Sequence, residues 1–293
     1  MEIRTPDAGG LLLVDKPPGL TSHDVVAIVR RAVGAQRVGH TGTLDPFATG
    51  LLVVLVGRGT RLIPYVDGEP KVYDATIRFG AETDTDDATG SVVREADPPR
   101  EADILAAVER LTGAIDQTPP AYSAKKVAGR RAYAAARRGS ALELAAARVT
   151  VHRWELGRSS NGQLEARITC GGGTYIRALA RDLGRLSSSA AHLTALRRVR
   201  SGAFTVDEAC TLDQLRAGDC PMHPLRAAIP SLPTRRVDDG ELARVLHGNA
   251  IGAGEGAPAG PDRVALIDDE ETLIAVARRE GGELRPTLVL RDA

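Results

Sequence analysis

Gly39-His-Thr-Gly-Thr-Leu-Asp-Pro-Phe-Ala-Thr-Gly50, running straight into Leu51-Leu-Val-Val-Leu-Val56, is the stretch on which the reading of the chain turns. The aliphatic run has no polar face, so it reads as a strand buried on both sides. The segment before it has the opposite character. Three glycines and three threonines surround one histidine and one carboxylate, the make-up of a functional loop held by a rigid strand. Asp45 is therefore a candidate catalytic carboxylate; the plainer alternative is that Asp45-Pro46 only opens a turn.

Outward from this stretch, Leu11-Leu-Leu-Val14 is a second short apolar run, entering a turn at Asp15-Lys16-Pro17-Pro18-Gly19. Thr21 or Ser22 caps a helix through about Ala32, with Val25, Val26, Ile28 and Val29 at helical spacing. Val72 to Phe79 alternates as a strand, and the acidic Glu82 to Gly90 reads as a surface turn. Ile104 to Leu111 is helical, while the prolines of Gln117-Thr-Pro-Pro-Ala-Tyr122 demand extended backbone. An exposed basic helix is expected over Ala124 to Gly139, strands over Val149 to Leu156 and Leu164 to Cys170, a turn at Gly171 to Gly173, and a helix over Tyr175 to Leu186. Strands and helices interleave without a βαβ rhythm, so the expected fold class is α+β, a mixed central β-sheet flanked by helices. Prolines at Pro230 and Pro233 mark a boundary. Beyond it, Val264 to Ile267, Leu273 to Ala277 and Thr287 to Leu290 predict a small β-rich module, giving domains over 1–230 and 231–293.

A length of 293 residues, 43% of them hydrophobic, suits two domains. Three cysteines without a C-x-x-C pair suggest neither a disulfide framework nor a thiolate metal site. The amino-terminal residues show no basic-then-apolar signal and the longest aliphatic run is too short to span a bilayer, so the expected location is cytoplasmic, with no membrane partner. The six histidines lack short ligand spacing, and neither Gly57-Arg-Gly-Thr nor Gly171-Gly-Gly-Thr completes a nucleotide-binding pattern. No metal and no cofactor are expected. Net charge is zero from 38 basic and 38 acidic residues, but the charge is segregated. Nine basic residues face two acidic ones from Ala121 to Arg158, and seven arginines face only Asp182 from Arg167 to Arg200. Lys71 to Pro120 carries five basic and eleven acidic residues. Such segregation fits a phosphate-binding face on an acidic body as well as it fits plain solvated helices.

Five ordered segments carry a family resemblance: Lys16-Pro-Pro-Gly-Leu-Thr-Ser22, Gly39 to Leu52, Lys71-Val-Tyr73 leading to Thr83-Asp-Thr-Asp-Asp87, Gln117-Thr-Pro-Pro-Ala-Tyr-Ser-Ala124, and Gly173-Thr-Tyr-Ile-Arg-Ala-Leu-Ala-Arg-Asp-Leu-Gly184. Together they resemble the bacterial tRNA pseudouridine-55 synthase family, the TruB type. The resemblance implies a pseudouridine synthase fold with a basic insertion over about 122–148 that grips the tRNA T-arm, and a carboxyl-terminal PUA-like domain. It further implies isomerisation of uridine 55 in the T-loop after flipping of the target base. Nothing in the sequence looks like an exposed apolar interface, so a monomer is expected, with no protein partner required. By the family pattern Asp45 is the catalytic carboxylate, Tyr73 stacks on the target base, and Arg177 pairs with Asp45. Tyr175 and Leu196 line the pocket, His40 fills space vacated by flipped nucleotides, and Lys16 supports the floor. Lys125, Lys126, Arg130 and Arg131 are the implied RNA-gripping cations.

The chain departs from the pattern in two places. Similar enzymes often carry a lysine before Gly-Thr-Tyr, where this chain has Gly171-Gly172-Gly173, which predicts one phosphate contact fewer and a more mobile loop. The stretch from Ser231 holds eight arginines and no lysine against twelve acidic residues, so it is expected to stiffen the catalytic domain or to touch RNA lightly. Two other readings compete with the stand-alone synthase: a noncatalytic RNA-binding protein, which would tolerate loss of Asp45 and Arg177, and a guide-RNA-dependent synthase subunit. The built-in basic insertion, with Tyr122 and Tyr133, favours independent action. Its small and charged composition predicts disorder before RNA arrives.

Overall fold

The computed structural model describes residues 9–122, 126–127, 130–131, 144–254 and 262–291. In chain order the elements are β1 (Gly9–Lys16), α1 (Ser22–Ala32), β2 (Val38–His40), β3 (Thr49–Gly57), a 3-10 helix over Arg58–Tyr65, β4 (Lys71–Phe79), β5 (Ala81–Thr83), β6 (Val92–Glu95), α2 (Glu101–Arg110) and β7 (Gly113–Gln117). After the two-residue strands β8 (Lys126–Val127) and β9 (Arg130–Arg131) come β10 (Ala147–Ser160), β11 (Gln163–Cys170), α3 (Ile176–Leu186), β12 (Ala191–Ser201), β13 (Phe204–Thr205), β14 (Cys210–Thr211) and α4 (Leu212–Ala217). The last elements are β15 (Thr234–Arg236), α5 (Asp239–Leu246), β16 (Ile251–Gly252), β17 (Arg263–Ile267), β18 (Leu273–Glu280) and β19 (Glu283–Val289). They form two compact units, one of Met1–Pro46, Leu51–Gly68 and Ala203–Ala293, the other of Phe47–Gly50 and Glu69–Gly202.

In the first unit β1 lies between β3 and β14, parallel to β14, with β2 antiparallel on β3. The unbroken apolar runs are explained by two-sided burial. Leu11, Leu13, Leu51, Val53 and Leu55 enter one core cluster, and Leu12, Val14, Leu52, Val54 and Val56 enter another. The second cluster is closed by Val25 and Val29 of α1 and by Leu212 and Leu215 of α4. The first is closed by Ala265, Ile267, Leu273, Val276 and Leu288 of the five-stranded sheet β15-β17-β18-β19-β16. Helix α1 begins at the expected place because Thr21 and Asp24 form a capping box. One expectation is corrected here: Cys210 and Cys220 form a disulfide, with Cα atoms 5.5 Å apart. Ten residues of separation carry no sequence signature, but α4 and its left-handed cap at Gly218 turn the chain back on β14.

The second unit has the strand order β12-β4-β11-β10-β7, all antiparallel neighbours, with Thr49 and Gly50 parallel against Arg197 and Arg198 of β12. Parallel and antiparallel pairs thus coexist in each unit, as expected of a mixed sheet. Helix α3 starts just after Tyr175 and buries Ile176, Leu179 and Leu183. The acidic Glu82–Gly90 segment is not the surface turn its composition suggested. Glu82, Thr83, Asp86 and Asp87 are all buried; arginines distant in sequence hold the three carboxylates, and the Thr83 hydroxyl donates to the Asp87 carbonyl at 2.7 Å. The predicted helix over 124–139 and the Lys125 side chain lie outside the described residues. Lys126 and Arg131 are described only as backbone partners, as are Val127 and Arg130. No helix of the described residues is long and apolar enough to cross a membrane.

Candidate active site

The Asp45 loop is built from the turn that follows β1. Lys16 ends that strand fully buried, and its Nζ donates to the carbonyls of Pro17 at 2.9 Å, Leu20 at 2.7 Å and Pro46 at 3.2 Å. The Pro46 carbonyl also accepts from the Gly19 amide at 2.8 Å. Ser22 bonds both polar groups of the Leu44 backbone, accepting from its N–H at 2.9 Å and donating to its C=O at 3.1 Å. The residues on either side of Asp45 are therefore fixed, and the half-buried carboxyl stands on a rigid base. Burial lowers the Lys16 ammonium to about 8, against the attraction of Asp45 and Asp24, which raises it. Lys16 thus ties the carbonyl of Pro46, the residue after Asp45, to the turn that follows β1. His40, at the end of β2, stands edge-on to His23 with ring centroids 5.8 Å apart.

The second unit carries the other implied residues. Tyr73 lies on β4 directly opposite Arg198 of β12 and Ile168 of β11, while Leu196 lies opposite Ala75. Directly opposed residues project to one face, so Tyr73, Leu196 and Arg198 share it. Tyr73 and Leu196 are each 7% exposed and Arg198 only 2%. Leu196 also helps line a groove of about 710 Å³ with Phe47, Thr49, Asp74, Arg167 and Arg197. Tyr175 caps α3 and exchanges two bonds with the Gln117 side chain, donating from its amide at 2.8 Å and accepting at its carbonyl at 3.1 Å.

Arg177, in the first turn of α3, is buried and donates to the Thr85 carbonyl at 2.8 Å and the Tyr122 carbonyl at 2.9 Å. Its guanidinium stands 3.5 Å from the Asp87 carboxylate. Asp87 is itself oriented by Thr85 Oγ1 at 2.8 Å and by the Thr89 amide at 2.9 Å. One turn on, Arg181 pairs with Asp86 at 3.0 Å and donates to the Thr118 carbonyl at 2.8 Å; a turn later Arg185 pairs with Glu82. Burial pushes the Asp86 carboxyl up to about 6, against the pull of Arg181 and Arg177. Asp182, a surface partner that Arg177 could have taken, pairs instead with Arg181 at 2.9 Å. Sequence reading missed Gln117, Asp86, Arg181 and Arg198 as parts of this framework. A signal for the arginines was present, because Arg177, Arg181 and Arg185 recur every four residues.

At the departure from the family pattern, a side chain on Gly172 would meet the Glu69 carboxylate, with its Cβ 2.2 Å from Oε1. The Lys71 ammonium stands beside it too, 3.8 Å from the same Cβ position.

Comparison with known proteins identifies the family. Residues 30–176 match the model of the TruB family pseudouridylate synthase N-terminal domain, and residues 177–229 match the tRNA pseudouridylate synthase B C-terminal domain. The tRNA pseudouridine synthase B of Thermobifida fusca (strain YX) is 47% identical over 96% of this chain and 98% of that protein. The protein of the same name from Arthrobacter sp. (strain FB24) is 44% identical over 96% of each. Among solved structures, a chain of a Cbf5-Nop10-Gar1 complex superposes with a TM-score of 0.71 at 25% identity, over 97% of this chain and 85% of that one. Sequence segments, family models and relatives converge: the chain belongs to the TruB family of pseudouridylate synthases.

Proposed function

We propose that this protein is a tRNA pseudouridine synthase that isomerises uridine 55 of the T-loop, with Asp45 as its nucleophile. The observation that carries the reading is the loop geometry: a carboxyl braced on both sides by Lys16 and Ser22, in a chain 47% identical to a protein named for this activity. Breaking the C1′–N1 bond and forming C1′–C5 needs a group that can bond transiently to the sugar or to the ring, and an ionised carboxylate serves either way. C5 then releases its proton to solvent and N1 takes one up, so the reaction is balanced without an oxidant or a hydrolytic water.

In this reading the target base is flipped from its stack and held against the Tyr73 ring, where stacking contributes about 1–3 kcal/mol. Tyr175 and Leu196 line the pocket, and His40 fills the space left by the flipped nucleotides. Arg177 pairs with Asp45, keeping it charged and oriented in a water-poor site. Lys125, Lys126, Arg130 and Arg131 grip the T-arm, and the protein works alone as a cytoplasmic monomer, with a catalytic domain over 1–230 and a PUA-like domain over 231–293. The higher identity to proteins named tRNA pseudouridine synthase B, 47%, than to the chain from the Cbf5-Nop10-Gar1 complex, 25%, favours independent action over the guide-RNA reading.

The test is tritium release from C5-labelled uridine in an unmodified tRNA transcript, with wild type and Asp45→Asn compared beside a binding assay and no other protein present. Release by wild type, with binding but no release by the variant, is the expected result. Tight binding without release by either protein would instead establish a noncatalytic RNA-binding protein.

A further inference from the structure

Helix α3 opens on Tyr175 and carries Arg177 two residues on, yet its own sequence does little to fix where it starts. The N-cap, Tyr175, makes no side-chain capping bond, because a phenol lacks the short-armed oxygen that turns back on the first amides. In α1, α4 and α5 the third helical residue closes a capping box through Asp24, Gln214 and Glu241; in α3 that residue is Ala178. The N-cap amide is left to a residue 58 positions upstream. Gln117 Oε1 accepts from the Tyr175 amide at 2.8 Å, and Gln117 Nε2 donates to the Tyr175 carbonyl at 3.1 Å. That carbonyl also accepts the first helical bond, from the Leu179 amide at 3.1 Å. Gln117 ends β7 in register with Ala147 of β10 and is 1% exposed. A primary amide at that depth must be bonded, and this one spends its oxygen and its nitrogen on a single backbone residue.

We infer that Gln117 is a positioning residue for the isomerisation, aiming the Tyr175 ring and the Arg177 guanidinium by clamping the start of α3; this rests on the reading of the chain as a synthase with those residues in its site. Tyr175 has extended backbone, φ −98° and ψ 110°, so the helical ladder does not set the direction of its side chain. The two Gln117 bonds do, one holding the peptide plane before Tyr175 and the other the plane after it. Arg177, at the second helical position, lies in the turn that frays when a cap is loose. A side-chain amide suits the task because it offers an acceptor and a donor at one end without a charge to desolvate, whereas a carboxylate would turn a lone pair on the Tyr175 carbonyl. Loss of the amide does not undock the segment. Arg181 and Arg177 still donate to the Thr118 and Tyr122 carbonyls just beyond it.

The experiment compares full-length wild type, Gln117→Met, Gln117→Asn and Val151→Ala for tritium release at saturating tRNA, for tRNA binding and for thermal unfolding. Gln117→Met keeps the shape and loses both bonds; its kcat is expected to fall about 10²-fold with tRNA affinity unchanged. Gln117→Asn carries the same amide one methylene short and should fall about tenfold, and it decides the matter if the methionine variant does not fold. Val151 is fully buried on β10 opposite Gly113 of β7, so Val151→Ala loosens the same strand pair away from α3. It is expected to lower the unfolding temperature while keeping the wild-type kcat. An equal loss of kcat in Val151→Ala would mean general loosening and overturns the proposal. A loss confined to tRNA affinity would make Gln117 a support for RNA binding, which also overturns it. Wild-type kcat in both Gln117 variants overturns it too, and leaves the synthase reading standing. A wild type that releases no tritium sinks that reading and this inference together.

Discussion

The Arg177 guanidinium and the Asp87 carboxylate face each other at 3.5 Å with their side chains only 4% and 5% exposed. Asp87→Ala would leave a buried cation short of its counter-charge, a loss of about 3 kcal/mol in urea denaturation. Asp87→Asn keeps the shape but frees Arg177 to turn. Its expected signature is a drop in kcat on the order of 10²-fold with little change in tRNA affinity.

Lys16 supplies a pH-dependent term. Its folded form releases a proton near 8, whereas in the unfolded chain it keeps the proton to about 10.4. Between these values the unfolded state binds more protons, so this term adds stability as pH rises through the window and is absent below it. Lys16→Met orphans the Pro17 and Leu20 carbonyls, leaves Pro46 with the Gly19 amide alone, and should cost about 2–4 kcal/mol at neutral pH. The gap between wild type and variant, measured by denaturation from pH 7 to 11, should widen towards high pH.

Gly50→Ala tests the junction between the Asp45 loop and its strand. Gly50 has φ +101°, and a Cβ there would sit 2.3 Å from the Arg198 carbonyl oxygen and 2.8 Å from its nitrogen. Because backbone cannot yield as a flexible side chain can, the substitution should cost about 3 kcal/mol or more, read as a lowered urea midpoint and loss of soluble protein.

Deletion of residues 231–293 removes the cover from Leu11, Leu13, Leu51, Val53 and Leu55. Each large aliphatic side chain laid bare loses about 1.5–3 kcal/mol. The truncated chain is expected to aggregate and to bind a hydrophobic dye, and a soluble, folded product would refute this account of the core.

Reduction of the Cys210–Cys220 bond should lower stability by about 2–3 kcal/mol, the expectation for so short a closed loop. Thiol titration of the unfolded protein should find one reactive group before reduction, from Cys170, and three after it.

The elements legible in the sequence are those whose burial is written locally. Leu51 to Val56 and Leu11 to Val14 announce two-sided strands, and Thr21 with Asp24 marks the start of α1. Strand β12 was illegible because Arg197, Arg198 and Arg200 make it look solvated, although Arg198 is only 2% exposed. Glu82 to Asp87 misled for the same reason: apart from Arg94, 3.6 Å from Glu82, its compensating charges lie 90 to 103 residues away, beyond any local window. The setting of Asp45 could be read from glycine and threonine content alone, but its brace at Lys16 depends on the backbone carbonyls the fold brings to that ammonium.

The arginines of α3 also act as a ruler. Arg177, Arg181 and Arg185 are one turn apart and meet Asp87, Asp86 and Glu82 in reverse order, so helix and loop are matched tooth for tooth. A residue inserted between Arg177 and Arg181 would rotate the later teeth by about 100° and unmesh two pairs at once. Point changes along the helix can be absorbed one by one; its length cannot drift, and the pitch of a helix thereby sets the spelling of a loop almost a hundred positions upstream.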